Sequence, residues 1–260
     1  MRNYKIIKGN QTMKDNFSKQ ANLYAKFRPE YPSELYDFIL QNVENKGIAW
    51  DCATGNGQAA KVLAQHFKEV YATDISQKQI DNAVKADNIV YSISSAEKTD
   101  FQDAAFDLIS VAQAAHWFDF EKFYAEVKRV AKPNAMLAIW GYGTLRFHAD
   151  SEIDKRMWDF YTNRVGQYWD FERSHIDKEY TSLPFPFQEI ESPKFSMAYK
   201  WQRYEFEGYL NTWSAVQNCI NTEGVNPVDD FMLDLNAYWG EFETKTVHFP
   251  LFLKMGKILP

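Results

Sequence analysis

The chain has 260 residues, with 29 Lys+Arg against 35 Asp+Glu for a formal charge of −6, and is 45% apolar and 25% charged. That composition is globular and excludes a disordered or collagen-like chain. The acidic balance, with no Lys/Arg-rich run, argues against a nucleic-acid partner, which would want a basic face; no apolar run reaches the roughly 18 residues a membrane span needs, and Met1–Asn16 lacks an apolar signal segment.

Asp15–Phe27 and Ser33–Asn42 read as helices ahead of a strand–helix alternation. Ile48–Cys52 is a first strand and Ala59–Phe67 a helix. Val70–Thr73 is a second strand ending at Asp74, after which Ser76 and Gln79 open a helix as a capping box. Ile89–Ile93 and Phe106–Val111 read as strands three and four. Phe120, Phe123, Val127 and Val130 recur at helical spacing, with Asp119 as N-cap and Pro133 just past the end. Ala135–Trp140 is a fifth strand. Such alternation with short links implies βαβ units and a parallel sheet. The pattern breaks at Gly141–Gly143. A polar–aromatic stretch follows to about Pro193, then a strand over Phe195–Phe206, helices over Leu210–Ile220 and Pro227–Tyr238, and an alternating strand over Thr244–Met255.

Asp51, Ala53, Gly55 and Gly57 lie between the first strand and its helix. Small residues there let backbone approach a ligand. Gly55-x-Gly57-x-x-Ala60, with Asp74 about 20 residues on, fits the nucleotide fingerprint in which the acid takes the ribose hydroxyls. A carboxylate at Asp51 repels a pyrophosphate and suits a ligand with cationic centres. Ser94–Glu97, after the third strand, falls where an adenine edge would sit. Cys52 and Cys219 lie far apart without metal-ligand spacing, so no metal or disulfide is expected, and a reducing cytoplasm is the default. The 17% aromatic content fills core and is also available to line an apolar pocket.

Together these residues resemble class I S-adenosylmethionine-dependent methyltransferases. Tyr24–Pro32, Ala112–Asp119, Tyr168-Trp169 with Arg173 and His175, and Gly208–Gln217 resemble marks of the trans-aconitate-methyltransferase-like branch. Ala53 departs from the usual first glycine. The resemblance implies a doubly wound, Rossmann-like α/β fold with a seven-stranded, mostly parallel sheet whose antiparallel last strand is Thr244–Met255. It implies one domain: a helical segment over 1–45, a cofactor-binding core over 46–142, a cap over 143–194 and C-terminal strands and helices over 195–260.

The cofactor implied is S-adenosylmethionine, held by Tyr24, Arg28, Asp51, Ala53, Gly55, Gly57, Asp74, Ile75, Ser95, Ala96, Glu97, Ala112 and Gln113. The acceptor is expected to be a small molecule, most simply an organic acid O-methylated on its carboxylate, against Tyr31, His116, Trp117, Tyr168, Trp169 and Arg173. His116 and Trp117 are the candidate catalytic residues, with His116 either a general base or a hydrogen-bonding wall; a carboxylate, already ionised, needs no base. Arg28 is expected to anchor a carboxylate of cofactor or substrate, and Arg164 with Arg173 to form an acid-recognising lid. The alternatives are an NAD(P)-dependent oxidoreductase on the same glycine fingerprint and a non-catalytic binding module.

Overall fold

The computed structural model describes residues 27–148 and 150–259. Strands β1 (Ile48–Cys52), β2 (Glu69–Asp74), β3 (Ile89–Ile93), β4 (Phe106–Ala112) and β5 (Ala131–Tyr142) lie parallel in the order 3-2-1-4-5. The outer edge of β5 takes the antiparallel strand β8 (Thr244–Lys257), and the far edge of β8 is shared by β6 (Gln188–Ile190) and β7 (Phe195–Gln202). Among the described residues, eight strands thus fill seven positions across the sheet, with β8 running against the first five.

Both faces of the sheet are covered, which is why its strands are continuous apolar runs. Side chains alternate along β1: Ala49 joins one core cluster, Trp50 and Cys52 the other. The first cluster holds α1 (Ser33–Gln41), α2 (Gln58–Leu63) and the C-terminal helices α7 (Arg203–Leu210), α8 (Ser214–Glu223) and α9 (Pro227–Asp234). The second holds α4 (Phe120–Val130) through Phe123, Val127 and Val130. Ser76 caps α3 (Gln77–Asp81) at Gln79 N, and Asp119 caps α4 at Lys122 N. The insert supplies α5 (Ser151–Asp159), a single π turn at Phe160–Arg164 and α6 (Arg173–Asp177). No helix among the described residues is long and apolar enough to cross a membrane.

Several boundaries differ from the sequence reading. The helix α2 stops at Leu63 rather than Phe67. Strand β5 begins at Ala131, so Pro133 lies inside it, at the irregularity between the Phe106–Ala131 and Leu108–Met136 pairs where a missing N–H is tolerated. The stretch Phe195–Phe206 is not one strand: Gln202 and Glu205 form a reciprocal capping box that starts α7. Leu210–Ile220 is likewise not one helix; the chain turns at Asn211–Trp213 between α7 and α8. The expected helix over Asp15–Phe27 lies, but for Phe27, outside the described residues.

Candidate active site

The strand order reverses between β1 and β4, so the crevice at their carboxyl ends is where an open α/β sheet receives a ligand. The glycine loop rims it. Ala53, Gly55 and Gly57 all have positive φ, at 54°, 57° and 82°. At Gly57 a Cβ would stand 2.2 Å from the Tyr91 hydroxyl, so glycine is required there on two counts. Ala53 holds the left-handed conformation with a methyl attached, at a cost of about 1–2 kcal/mol. The loop is pinned by Thr54 N–H donating to Thr73 O at 2.8 Å and by Gly55 N–H donating to Asp74 Oδ2 at 2.8 Å. Asp74 Oδ1 accepts from Ser76 N–H at 2.9 Å. Asp74 therefore couples the two βα loops before any ribose reaches it.

Asp51 is 1% exposed and lies beneath this loop. Its carboxylate accepts from the Thr54 hydroxyl and, at 2.8 Å, from the Ser110 hydroxyl. Burial pushes its pKa up to about 6, against the pull of Thr54, Ser110 and the Ala60 N–H, with the Asp74 charge adding to the rise. Removal from water outweighs three hydrogen bonds, and an opposite charge would restore the ionised form.

The loop after β3 is fixed from below. Thr99 donates through N and Oγ1 to Glu126 Oε1, and Arg129 ties Glu126 to Asp103 and to the carbonyls of Thr99 and Phe101. Phe101 packs edge-on against Trp50 and Tyr71. This holds Ser95 half-buried, Ala96 buried, and Glu97 accepting from Asp119 N–H at 3.2 Å. Ile75, next to Asp74, is 39% exposed, an apolar face at the rim suited to a flat base.

At the end of β4, Ala112 is half-buried and Gln113 turns with φ 55°. Gln113 is committed to β5: its N–H donates to Trp140 O, its Oε1 accepts from Tyr142 N at 2.7 Å, and its Nε2 donates to Tyr142 O. Its side chain thus extends the β4–β5 ladder and is not free for a ligand. Ala115–Trp117 form a 3-10 turn that buries His116, whose Nδ1 lies 2.9 Å from the Tyr180 hydroxyl. Burial, and then the Arg173 charge, lower the His116 pKa to about 3, so the imidazole is neutral. Trp117 is half-buried with its ring 4.9 Å from the His116 ring.

Arg28 is not a surface charge. It donates to the Tyr142 hydroxyl at 2.7 Å and to Thr212 O, over the Tyr209 ring. Tyr31 packs edge-on against Trp140, while Tyr24 lies outside the described residues. The expected lid divides. Arg164 is ion-paired with Glu223 at 2.7 Å, and Tyr168 donates to the same carboxylate, so both tie the insert to α8. Arg173 instead reaches the end of β5, donating to Thr144 Oγ1 at 3.1 Å and to Tyr161 Oη at 3.2 Å, with the Trp169 ring 4.9 Å beneath it. Asp177 stands 3.6 Å from Arg173 Nε. The insert thereby brings Arg173, with the Trp169 ring against it, to the end of β5, and Tyr180 to His116 just past β4.

Besides Tyr180, three further residues were not recognisable from the sequence as part of the site. Gln79, read only as a capping residue, does not close the reciprocal half of its box: its buried Oε1 accepts nothing among the described residues and is the nearest atom to a Cβ built on Gly55, at 3.9 Å. An acceptor left open beside a glycine loop and a ribose-type acid fits the hydroxyl donors of an adenosyl group. Tyr36 Oη and Trp140 Nε1 are likewise buried without partners among the described residues, and the charges of Asp51 and Glu30 add to burial in raising the Tyr36 pKa. Helical and strand periodicity signalled only that these two residues face inward.

A methyltransferase-domain family model matches residues 50–139, the span from β1 through β5. A Dictyostelium discoideum protein described as a methyltransferase is 34% identical over 249 residues, covering 94% of this chain and 95% of that one. The solved structure of a protein described as a type II methyltransferase from Anaeromyxobacter dehalogenans has a TM-score of 0.81 at 37% identity, covering 90% of this chain and 99% of that one. A Bacillus halodurans methyltransferase structure, 17% identical with a TM-score of 0.52 and covering 88% and 100% of the two chains, shares the fold. With the acid–glycine loop–acid arrangement in place at the switch point, the chain belongs to the class I S-adenosylmethionine-dependent methyltransferases and takes S-adenosylmethionine as its cofactor.

Proposed function

We propose that this enzyme O-methylates the carboxylate of a small organic acid, as in the trans-aconitate-methyltransferase-like branch that its motifs resemble. When bound, S-adenosylmethionine supplies an electrophilic methyl group that an acceptor oxygen takes in line, leaving S-adenosylhomocysteine. The glycine loop takes the methionine end, with Asp51 as counter-charge to the cationic centres. Asp74 and Gln79 take the ribose, and Ile75 with Ser95–Glu97 the adenine. Alignment and exclusion of water are the remaining tasks, and the half-buried Trp117 and Trp169 serve both.

The observation that supports a carboxylate is the pairing of Arg173 with a neutral His116. Arg173 is 18% exposed by its side chain and is bonded mainly to uncharged hydroxyls, with Asp177 at 3.6 Å. Its Nη1 makes no hydrogen bond among the described residues, so the planar fork keeps a donor for an incoming anion. His116, with its pKa lowered to about 3, holds a proton too weakly to serve as a base near neutrality. A hydroxyl or amine acceptor needs a base to take its proton, whereas a carboxylate is nucleophilic without help. Arg28 anchors a second carboxylate, that of methionine or of a polyacid. The test is S-adenosylhomocysteine release across a panel of mono-, di- and tricarboxylic acids set against matched alcohols and amines. Turnover confined to the alcohols or amines refutes the assignment.

A further inference from the structure

Helix α6 ends in a Schellman turn: Tyr180 N–H donates to His175 O at 2.9 Å and Glu179 N–H to Ile176 O at 2.9 Å. Such turns normally place glycine in the left-handed position. Here Glu179 and Tyr180 hold φ of 50° and 57°, two consecutive residues with side chains in a region that disfavours them. Tyr180 is also fully buried, its ring edge-on to Phe252 and its hydroxyl 2.9 Å from His116 Nδ1. Glycine would relax the backbone but would remove that hydroxyl. Strain kept at a functional site points to what the side chain does there.

The direction of the Tyr180–His116 bond follows from acid–base chemistry. A phenol is a good donor and a weak acceptor, whereas the lone pair of a neutral imidazole is the strongest neutral acceptor among side chains. Tyr180 O–H therefore donates to Nδ1, and the ring proton sits on Nε2. We propose that Tyr180 is a positioning residue that locks His116 in the Nε2–H tautomer, so that His116 presents a neutral hydrogen-bond donor, not a base, at the carboxyl end of β4. With Arg173 beside it, this gives an acceptor anion two donors from two elements. The use of Nε2–H toward a carboxylate rests on the acceptor reading above; the tautomer does not.

The test needs no acceptor. In protein labelled with nitrogen-15 at histidine, the wild-type His116 ring should show one neutral tautomer at neutral pH, protonated at Nε2. Tyr180→Phe, which keeps the ring packing, should give a mixture of tautomers with the other four histidines unmoved. Glu179→Gly relaxes the same turn and spares the hydroxyl; it should raise the melting temperature and leave the His116 spectrum as in wild type. A wild-type His116 protonated at Nδ1, or a Tyr180→Phe spectrum identical to wild type, overturns the proposal. If Tyr180→Phe fails to fold, the wild-type tautomer still decides it. The Nε2–H form with turnover only on amines would overturn the carboxylate reading and leave the tautomer standing.

Discussion

Replacing Asp51 by Asn should make the empty enzyme more stable and the loaded enzyme weaker. In the fold the Asp51 pKa is raised from 3.8 to about 6. The folded chain thus binds this proton more tightly than the unfolded chain. The stabilisation is fully present below about pH 4 and is lost as pH rises through 6. A gap of about two pKa units is worth ~3 kcal/mol at 1.36 kcal/mol per unit. Asparagine is isosteric, and the Thr54 and Ser110 hydroxyls can rotate to meet an amide, so Asp51→Asn escapes that penalty. At pH 8 it should gain up to ~3 kcal/mol, which for a chain of this size is roughly 6–12 °C in Tm. Near pH 4 the difference should vanish. Loss of the counter-charge should weaken S-adenosylmethionine binding by ~1.5–3 kcal/mol, or about ten- to a hundredfold. Thermal melts of both proteins from pH 4 to 8, with calorimetric titration of the cofactor, measure both effects. An Asn variant less stable than wild type at pH 8, or a gain equal at pH 4 and pH 8, refutes the reasoning.

Ala53→Gly should stabilise the protein by about 1 kcal/mol, because the left-handed strain it relieves exceeds the added freedom of the unfolded chain; chemical denaturation measures this, and destabilisation contradicts the loop geometry. Asp74→Asn turns one carboxylate oxygen into an amide facing a backbone N–H of Gly55 or Ser76. It should lower cofactor affinity about ten- to a hundredfold, and unchanged affinity in calorimetry counts against the ribose site. Arg173→Lys should cut kcat/KM for a carboxylic acid while leaving cofactor affinity intact, since a point charge cannot reproduce the fork bonded to Thr144 and Tyr161; equal loss of cofactor binding would place Arg173 elsewhere.

What the sequence made legible is what backbone periodicity and loop chemistry encode. The strands β1–β5, Asp51, the glycines and Asp74 follow from alternation and loop chemistry, and the loop and both acids meet at the switch point. The sequence does not encode how a side chain is used once the chain closes. Gln113 looked available to a ligand, yet both ends of its amide extend the β4–β5 ladder. Arg164 and Arg173 looked equivalent, and only tertiary placement gives one to Glu223 and the other to the β5 end. Tyr180 carries no motif at all; its role depends on a turn conformation that tyrosine disfavours. The pairs β6–β8 and β7–β8 were also hidden, because β6 has three residues and β7 runs into a helix through continuous aromatic sequence.

The most direct measurement of carboxylate methylation is kcat/KM for an acid acceptor against pH, with S-adenosylmethionine held saturating, for wild type and His116→Gln. A carboxylate needs no base, so the wild-type rate should be nearly flat from about pH 5 through neutrality. The product should be a methyl ester, and His116→Gln should retain activity within about tenfold, below the 10²–10⁴ of a lost general base. A rising limb near the ordinary histidine pKa of about 6.5 that disappears in His116→Gln, together with a rate loss of that larger size, would contradict it.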